Sequence, residues 1–249
     1  MNSESLSVFI LFGLVLLLGL VYTLRGLLTG SFRQYERVDR QGGSVLLGKA
    51  VMNFAVWGME PLAKGLNKLF ITPNQVTLSS IVFGLIAAAF IATGHFGYAF
   101  CAAIVSGMTD MLDGMLARLT GKSDASGVVL DSTVDRYVDF FLLAGCALYF
   151  RHNVADLSAA LLAIHGSFMI SYTTAKAEAM SVAVPRGAMK RTERHVYLLL
   201  ALVASTFIPE LWGLAQSPLW LVVWLLAILT NWSAAMRFRA LFLSARSAG

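Results

Sequence analysis

Long apolar runs separated by short polar stretches dominate the chain. The first covers residues 6–24 (LSVFILFGLVLLLGLVYTL), and six more cover about 75–93, 97–119, 127–150, 155–178, 195–212 and 217–236. Each approaches the roughly 20 apolar residues that a helix needs to cross a bilayer, so the pattern predicts seven membrane-spanning helices. Residues 46–70 are different in kind. There Lys49, Glu60, Lys64 and Lys68 interrupt the apolar positions at helical spacing, which predicts an amphipathic helix lying on the cytoplasmic face of the membrane.

Charge gives these helices a direction. The segment MNSES ahead of the first run has no basic residue, whereas Arg25, Arg33, Arg37 and Arg40 follow it, as expected of an uncleaved anchor with its N-terminus outside. Alternation then puts Arg118, Lys122, Arg186, Lys190, Arg191, Arg194, Arg237, Arg239 and Arg246 on or near the cytoplasmic side, with Arg151 opposite. Composition agrees: 57% of the 249 residues are hydrophobic and 13% charged, against about 25% charged in soluble domains. Mean hydropathy is +0.71. These values exclude an ordinary soluble enzyme, and the net charge of +5 matters only through its distribution. Cys101 and Cys146 lie in apolar runs, so no disulfide framework is expected. The expected organisation is an N-terminal anchor and basic loop (1–45) followed by an interfacial helix and a six-helix membrane domain (46–249).

Five of the 14 acidic residues, Asp110, Asp113, Asp131, Asp135 and Asp139, lie inside two otherwise apolar runs. An ionised carboxylate in a membrane costs several kcal/mol, so such residues are rare and mark function. Asp110 and Asp113 share one helix face, as do Asp131 and Asp135. Four converging carboxylates repel one another unless hard divalent cations hold them, and all-oxygen ligands favour Mg²⁺, Mn²⁺ or Ca²⁺ over zinc. His95, His152, His165 and His195 have no zinc-ligand spacing. A cation-transport path through the same acids is the alternative from another class. Its site would more often lie near the bilayer midplane, whereas Arg118 and Lys122 place these acids near the cytoplasmic surface.

The stretch Asp110-x2-Asp113-Gly114-x2-Ala117-Arg118-x8-Gly127-x3-Asp131-x3-Asp135 resembles the signature of the CDP-alcohol phosphotransferase family at all eight fixed positions. Thr72-Pro73-Asn74-Gln75-Val76-Thr77 is similar to the segment that leads into that family's first core helix. The resemblance implies an all-α, polytopic membrane helix bundle: a six-helix core, here with an extra N-terminal transmembrane helix and the interfacial helix. It implies transfer of a phosphatidyl group from CDP-diacylglycerol or a related CDP-lipid to a hydroxyl acceptor, with release of CMP. Mg²⁺ or Mn²⁺, two ions, would be held by Asp110, Asp113, Asp131 and Asp135, with Asp135 also the general base. Asn74, Thr77, Asp110, Gly114, Ala117, Arg118 and Gly127 would form the nucleotide site. Membrane lipids and a second copy of the chain, in a homodimer, are the further partners implied; nucleic acid is not. The resemblance places the enzyme in a bacterial cytoplasmic membrane with its site facing the cytoplasm. Asp139, one turn beyond the signature, is left open between buried pairing and a supporting role.

The acceptor is read from a second polar group. Ser171-Tyr172-Thr173-Thr174-Ala175-Lys176-Ala177-Glu178-Ala179, with Arg191-Thr192-Glu193-Arg194 after it, is similar to bacterial phosphatidylinositol-phosphate synthases and their archaeal relatives. That resemblance implies an inositol phosphate acceptor, with Lys176, Arg191, Arg194 and Arg237 as contacts for the small phosphorylated alcohol. Two positions depart from it: a basic residue is usual where this chain has Thr174, and an Arg where it has Lys176. Glycerol phosphate or an amino alcohol is the alternative acceptor. Leu78-Ser79-Ser80-Ile81-Val82 lacks the Arg usual in the glycerol-phosphate branch, and an amino alcohol would not need so much positive charge.

Overall fold

A computed structural model describes residues 2–32, 34, 35, 38, 48–121, 124–183, 189–208 and 217–247. Among the described residues the chain forms eight helices and no strands: α1 (Ser3–Thr29), α2 (Lys49–Lys68), α3 (Pro73–Ala92), α4 (Phe96–Thr120), α5 (Ala125–Tyr149), α6 (Val154–Ala179), α7 (Arg191–Phe207) and α8 (Pro218–Ser247). The order is that of the expected anchor, interfacial helix and six-helix core. Arg33, Arg37, Arg40, Lys122, Arg186 and residues 209–212 of the expected sixth span lie outside the described residues.

Among the described residues five helices, α1, α3, α4, α6 and α8, are long and apolar enough to cross a membrane. The expectation of seven spans meets a physical limit at the other two. Helix α5 carries Asp131, Asp135, Arg136 and Asp139, and α7 opens on Arg191, Glu193 and Arg194 and runs 17 residues. Helix ends also differ from apolar-run ends. Helix α8 continues eleven residues past position 236 and α1 five past position 24, so Arg237, Arg239, Arg246 and Arg25 are helical. Charge ends an apolar run without interrupting backbone hydrogen bonding, and Arg is a good helix former.

Two compact units divide the chain. The first comprises residues 1–82 and 105–134: α1, α2, the start of α3, the end of α4 and the start of α5. In it, α2 buries Ala63 in a cluster with Val76 of α3 and Leu112, Met115 and Leu116 of α4. Its polar face keeps the Glu60–Lys64 ion pair at 2.7 Å. Tyr22 of α1 packs against Phe54 and Trp57 of α2, ring centroids 5.7 and 5.2 Å apart, and the Tyr35 hydroxyl donates to Glu60 Oε2 at 2.8 Å. The rest of α1 leaves most of its large side chains exposed, Leu16 and Leu27 among them, as expected of a lipid-facing span. Gly121 closes α4 with φ +65°, a left-handed end that glycine adopts without strain.

The second unit comprises residues 83–104 and 135–249. Helices α6 and α8 pack tightly because Gly166 has no Cβ; one there would lie 2.1 Å from Thr230 Oγ1. Asn231 Nδ2 donates to the Leu162 carbonyl at 2.7 Å, and the indole N–H groups of Trp220 and Trp224 both donate to Asp156 Oδ1, at 2.7 and 2.9 Å. These contacts fix α8 against α6 and thereby set where Arg237 stands relative to Thr174.

Candidate active site

In the first unit, the start of α3, the end of α4 and the start of α5 enclose a cleft of about 240 Å³. Six of the seven residues expected to bind nucleotide line it: Asn74 and Thr77 from α3, Gly114, Ala117 and Arg118 from α4, and Gly127 from α5. Asp113 and Asp131 line it as well. The small residues have a direct spatial effect, since a Cβ at Gly127 would press to 3.1 Å from Asp124 Oδ1.

The carboxylates are differently engaged. Asp110 and Asp131 bring carboxylate oxygens within 4.8 Å of each other. Two oxygens on opposite sides of one Mg²⁺ are about 4.2 Å apart, so small side-chain movements suffice to fit a shared ion. Both residues are half-buried, and their donors are all oxygen, as a hard divalent cation prefers. Asp113 accepts the Thr77 hydroxyl at 2.5 Å, with both side chains buried. Thr77, expected among the nucleotide residues, lines the cleft and also holds Asp113. The Pro73 carbonyl, 3.1 Å away, is the more distant acceptor. Asp135 lies one turn beyond Asp131 along α5.

Asp124, absent from the expected set, lines the same cleft and caps α5. Its Oδ1 accepts the Gly127 N–H at 2.7 Å and the Ser126 hydroxyl at 3.0 Å. These donors hold its carboxyl below the usual aspartate range. An Asp immediately before an apolar helical run is a readable cap signal.

The acceptor candidates lie in the second unit. Arg191 Nη1 meets Asp135 Oδ2 at 2.7 Å, and Arg191 Nε meets Asp139 Oδ1 at 3.4 Å. Arg194 Nη2 donates to Asp139 Oδ2 at 2.5 Å and its Nη1 to the Met189 carbonyl at 2.9 Å. Asp139, left open by its sequence position, is therefore an ion-pairing residue. Arg237 is only 7% exposed and donates through Nη1 to Thr174 Oγ1 at 2.6 Å. Its buried Nε has no hydrogen-bond acceptor among the described residues. Thr174, a point of departure from the sequence pattern, thus acquires a partner 63 positions away. Lys176 is exposed on the last turn of α6, without a side-chain contact to these arginines.

Comparison with known proteins places this arrangement. Residues 70–232 match the family model described as CDP-alcohol phosphatidyltransferase, leaving α1 and α2 ahead of the matched region. Phosphatidylinositol phosphate synthase of Mycobacteroides abscessus is 32% identical over 184 residues, 72% of this chain and 81% of that protein. The crystal structure of Mycobacterium tuberculosis phosphatidylinositol phosphate synthase with CDP-DAG bound superposes with a TM-score of 0.65 at 28% identity, covering 73% of this chain and 92% of that one. The same enzyme in complex with manganese and citrate gives 0.66, at 28% identity, over 73% and 88%.

Proposed function

Because the chain belongs to the CDP-alcohol phosphatidyltransferase family, we propose that it transfers the phosphatidyl group of CDP-diacylglycerol to a hydroxyl of inositol phosphate and releases CMP. The observation that carries the choice of a phosphorylated acceptor is Arg237. Glu193 is near enough to act on this buried guanidinium, but its hydrogen-bonded partner is a neutral hydroxyl and its Nε is unsatisfied, so an anion that completes its shell offsets its burial. An acceptor phosphate supplies that anion, and Arg forks suit phosphate oxygens. The names of the relatives point to the same substrate class.

In this reading the cleft holds the cytidine end of the donor. Gly114, Ala117 and Gly127 leave room for it, and Asn74 and Arg118 provide polar contacts. Asp110, Asp113, Asp131 and Asp135 would hold the divalent ions, and Thr77 bonds the Asp113 carboxylate. When bound, Mg²⁺ or Mn²⁺ would neutralise the donor pyrophosphate and the charge left on departing CMP. Asp135 takes the proton from the acceptor hydroxyl as its oxygen bonds to the lipid-linked phosphorus and the bond to CMP breaks. The basic residues gathered toward one end of the apolar runs support a cytoplasmic site.

The test is CMP release by purified protein given CDP-diacylglycerol and Mn²⁺ or Mg²⁺, with inositol phosphate, glycerol phosphate, inositol or serine as acceptor. Inositol phosphate should support turnover, and EDTA should abolish it. Turnover with glycerol phosphate or serine but not with inositol phosphate overturns the acceptor assignment.

A further inference from the structure

The cluster around Asp139 points beyond pairwise pairing. Asp139 receives charge-assisted contacts from Arg191 and Arg194, and its Oδ1 is 3.4 Å from His195 Nδ1. Arg191 is divided between two carboxylates, its Nη1 on Asp135 and its Nε on Asp139. Arg194, 7% exposed at its side chain, is held by Asp139 on one nitrogen and by the Met189 carbonyl on the other. Arg194 also lies close enough to Arg237 to act on it electrostatically. Three guanidiniums in one region repel one another, and Asp139 is the carboxylate that two of them share.

We propose that Asp139 is a positioning residue that assembles the acceptor-phosphate pocket by holding Arg191 and Arg194, and so ties that pocket to Asp135. This deepens the reading above and rests on it. The geometry gives the link a direction. When the Asp135 carboxylate turns to the acceptor hydroxyl, its hold on Arg191 Nη1 loosens, and the Nε contact with Asp139 keeps the guanidinium in place. The freed Nη edge then faces an anion beside the hydroxyl being deprotonated. A single acceptor bearing a hydroxyl and a nearby phosphate satisfies both groups. An alcohol without phosphate would leave Arg191 on Asp135, in competition with proton transfer.

Asp139→Asn keeps the shape and removes the charge. Its expected effect is a rise of tenfold or more in the KM for inositol phosphate, with the KM for CDP-diacylglycerol within twofold of wild type. Asp139→Glu should recover part of the loss. Arg194→Gln should raise the same KM, and the double variant should be no worse than about twofold beyond the poorer single one. Inorganic phosphate is the probe that does not depend on the acceptor's identity. It should raise the melting temperature of the wild-type protein and leave that of Asp139→Asn unchanged. CDP-diacylglycerol binding serves as the folding control for every variant. Unchanged acceptor KM in Asp139→Asn, equal rises in both KM values, additive effects in the double variant, or an undiminished phosphate shift each overturn the proposal. A wild-type protein stabilised by phosphate yet inactive with inositol phosphate overturns the acceptor reading instead and leaves the Asp139 test to be read from the phosphate shift.

Discussion

The Thr77–Asp113 hydrogen bond offers a direct measure of how far the cleft depends on a preset carboxylate. Thr77→Val is nearly isosteric and removes only the hydroxyl. The two side chains are 5% and 6% exposed, so water has little room to replace the lost donor. At 2.5 Å the contact is short, and a hydrogen bond to a charged group contributes about 1.5–3 kcal/mol. At roughly 1.4 kcal/mol per factor of ten, this corresponds to about 10- to 100-fold in any equilibrium that requires Asp113 in its present orientation. Binding of Mn²⁺ with CDP is such an equilibrium, measured by titration calorimetry on purified protein, and the Mn²⁺ dependence of CMP release gives an independent reading. Thr77→Ser restores the hydroxyl and should stay close to wild type. A Thr77→Val protein within twofold of wild type in both assays would refute the argument, because Asp113 would then be held by something other than this bond.

Asp135→Asn should lower turnover by about 10²- to 10⁴-fold, the usual contribution of a general base, while much of the CDP-lipid binding survives; wild-type turnover in this variant would sink the base assignment. Gly166→Ala places a Cβ about 2.1 Å from Thr230 Oγ1, so α6 and α8 must separate. The expected loss is about 1–3 kcal/mol, seen as a lower melting temperature, and unaltered melting contradicts the packing account. For Asp124, the cap holds the folded-state carboxyl below its unfolded value. Its stabilising contribution is therefore present above the unfolded pKa of about 3.9 and is lost as pH falls through the folded value. Melting followed from pH 6 to pH 3 should show wild type losing stability relative to Asp124→Asn, which caps without titrating. A constant difference across that range would rule this out.

The acidic signature was unusually legible in the sequence because its residues are local. Asp110, Asp113, Gly114, Ala117 and Arg118 share one helix, and Gly127, Asp131 and Asp135 share the next, so 3.6-residue periodicity alone aligns them. Asp124 was as readable, as an Asp heading a helix, and was missed. The hydrogen bond from Thr77 to Asp113 was not legible. The two residues lie 36 positions apart on different helices, and sequence spacing says nothing about which side chain meets the Thr77 hydroxyl.

By itself, then, the sequence determined the order of helices, the membrane as their solvent and the acidic signature. Those follow from apolar runs that must satisfy their backbone internally and from charges too costly to bury without purpose. Helix ends needed the structure, because hydrogen bonding can carry a helix past the point where apolarity stops. Tertiary packing alone decided the arginines' partners. Asp139 meets Arg191 and Arg194 across 52 and 55 positions, and Arg237 meets Thr174 across 63. Such contacts depend on the rotation and approach of neighbouring helices, which small residues such as Gly166 permit and which no single helix encodes.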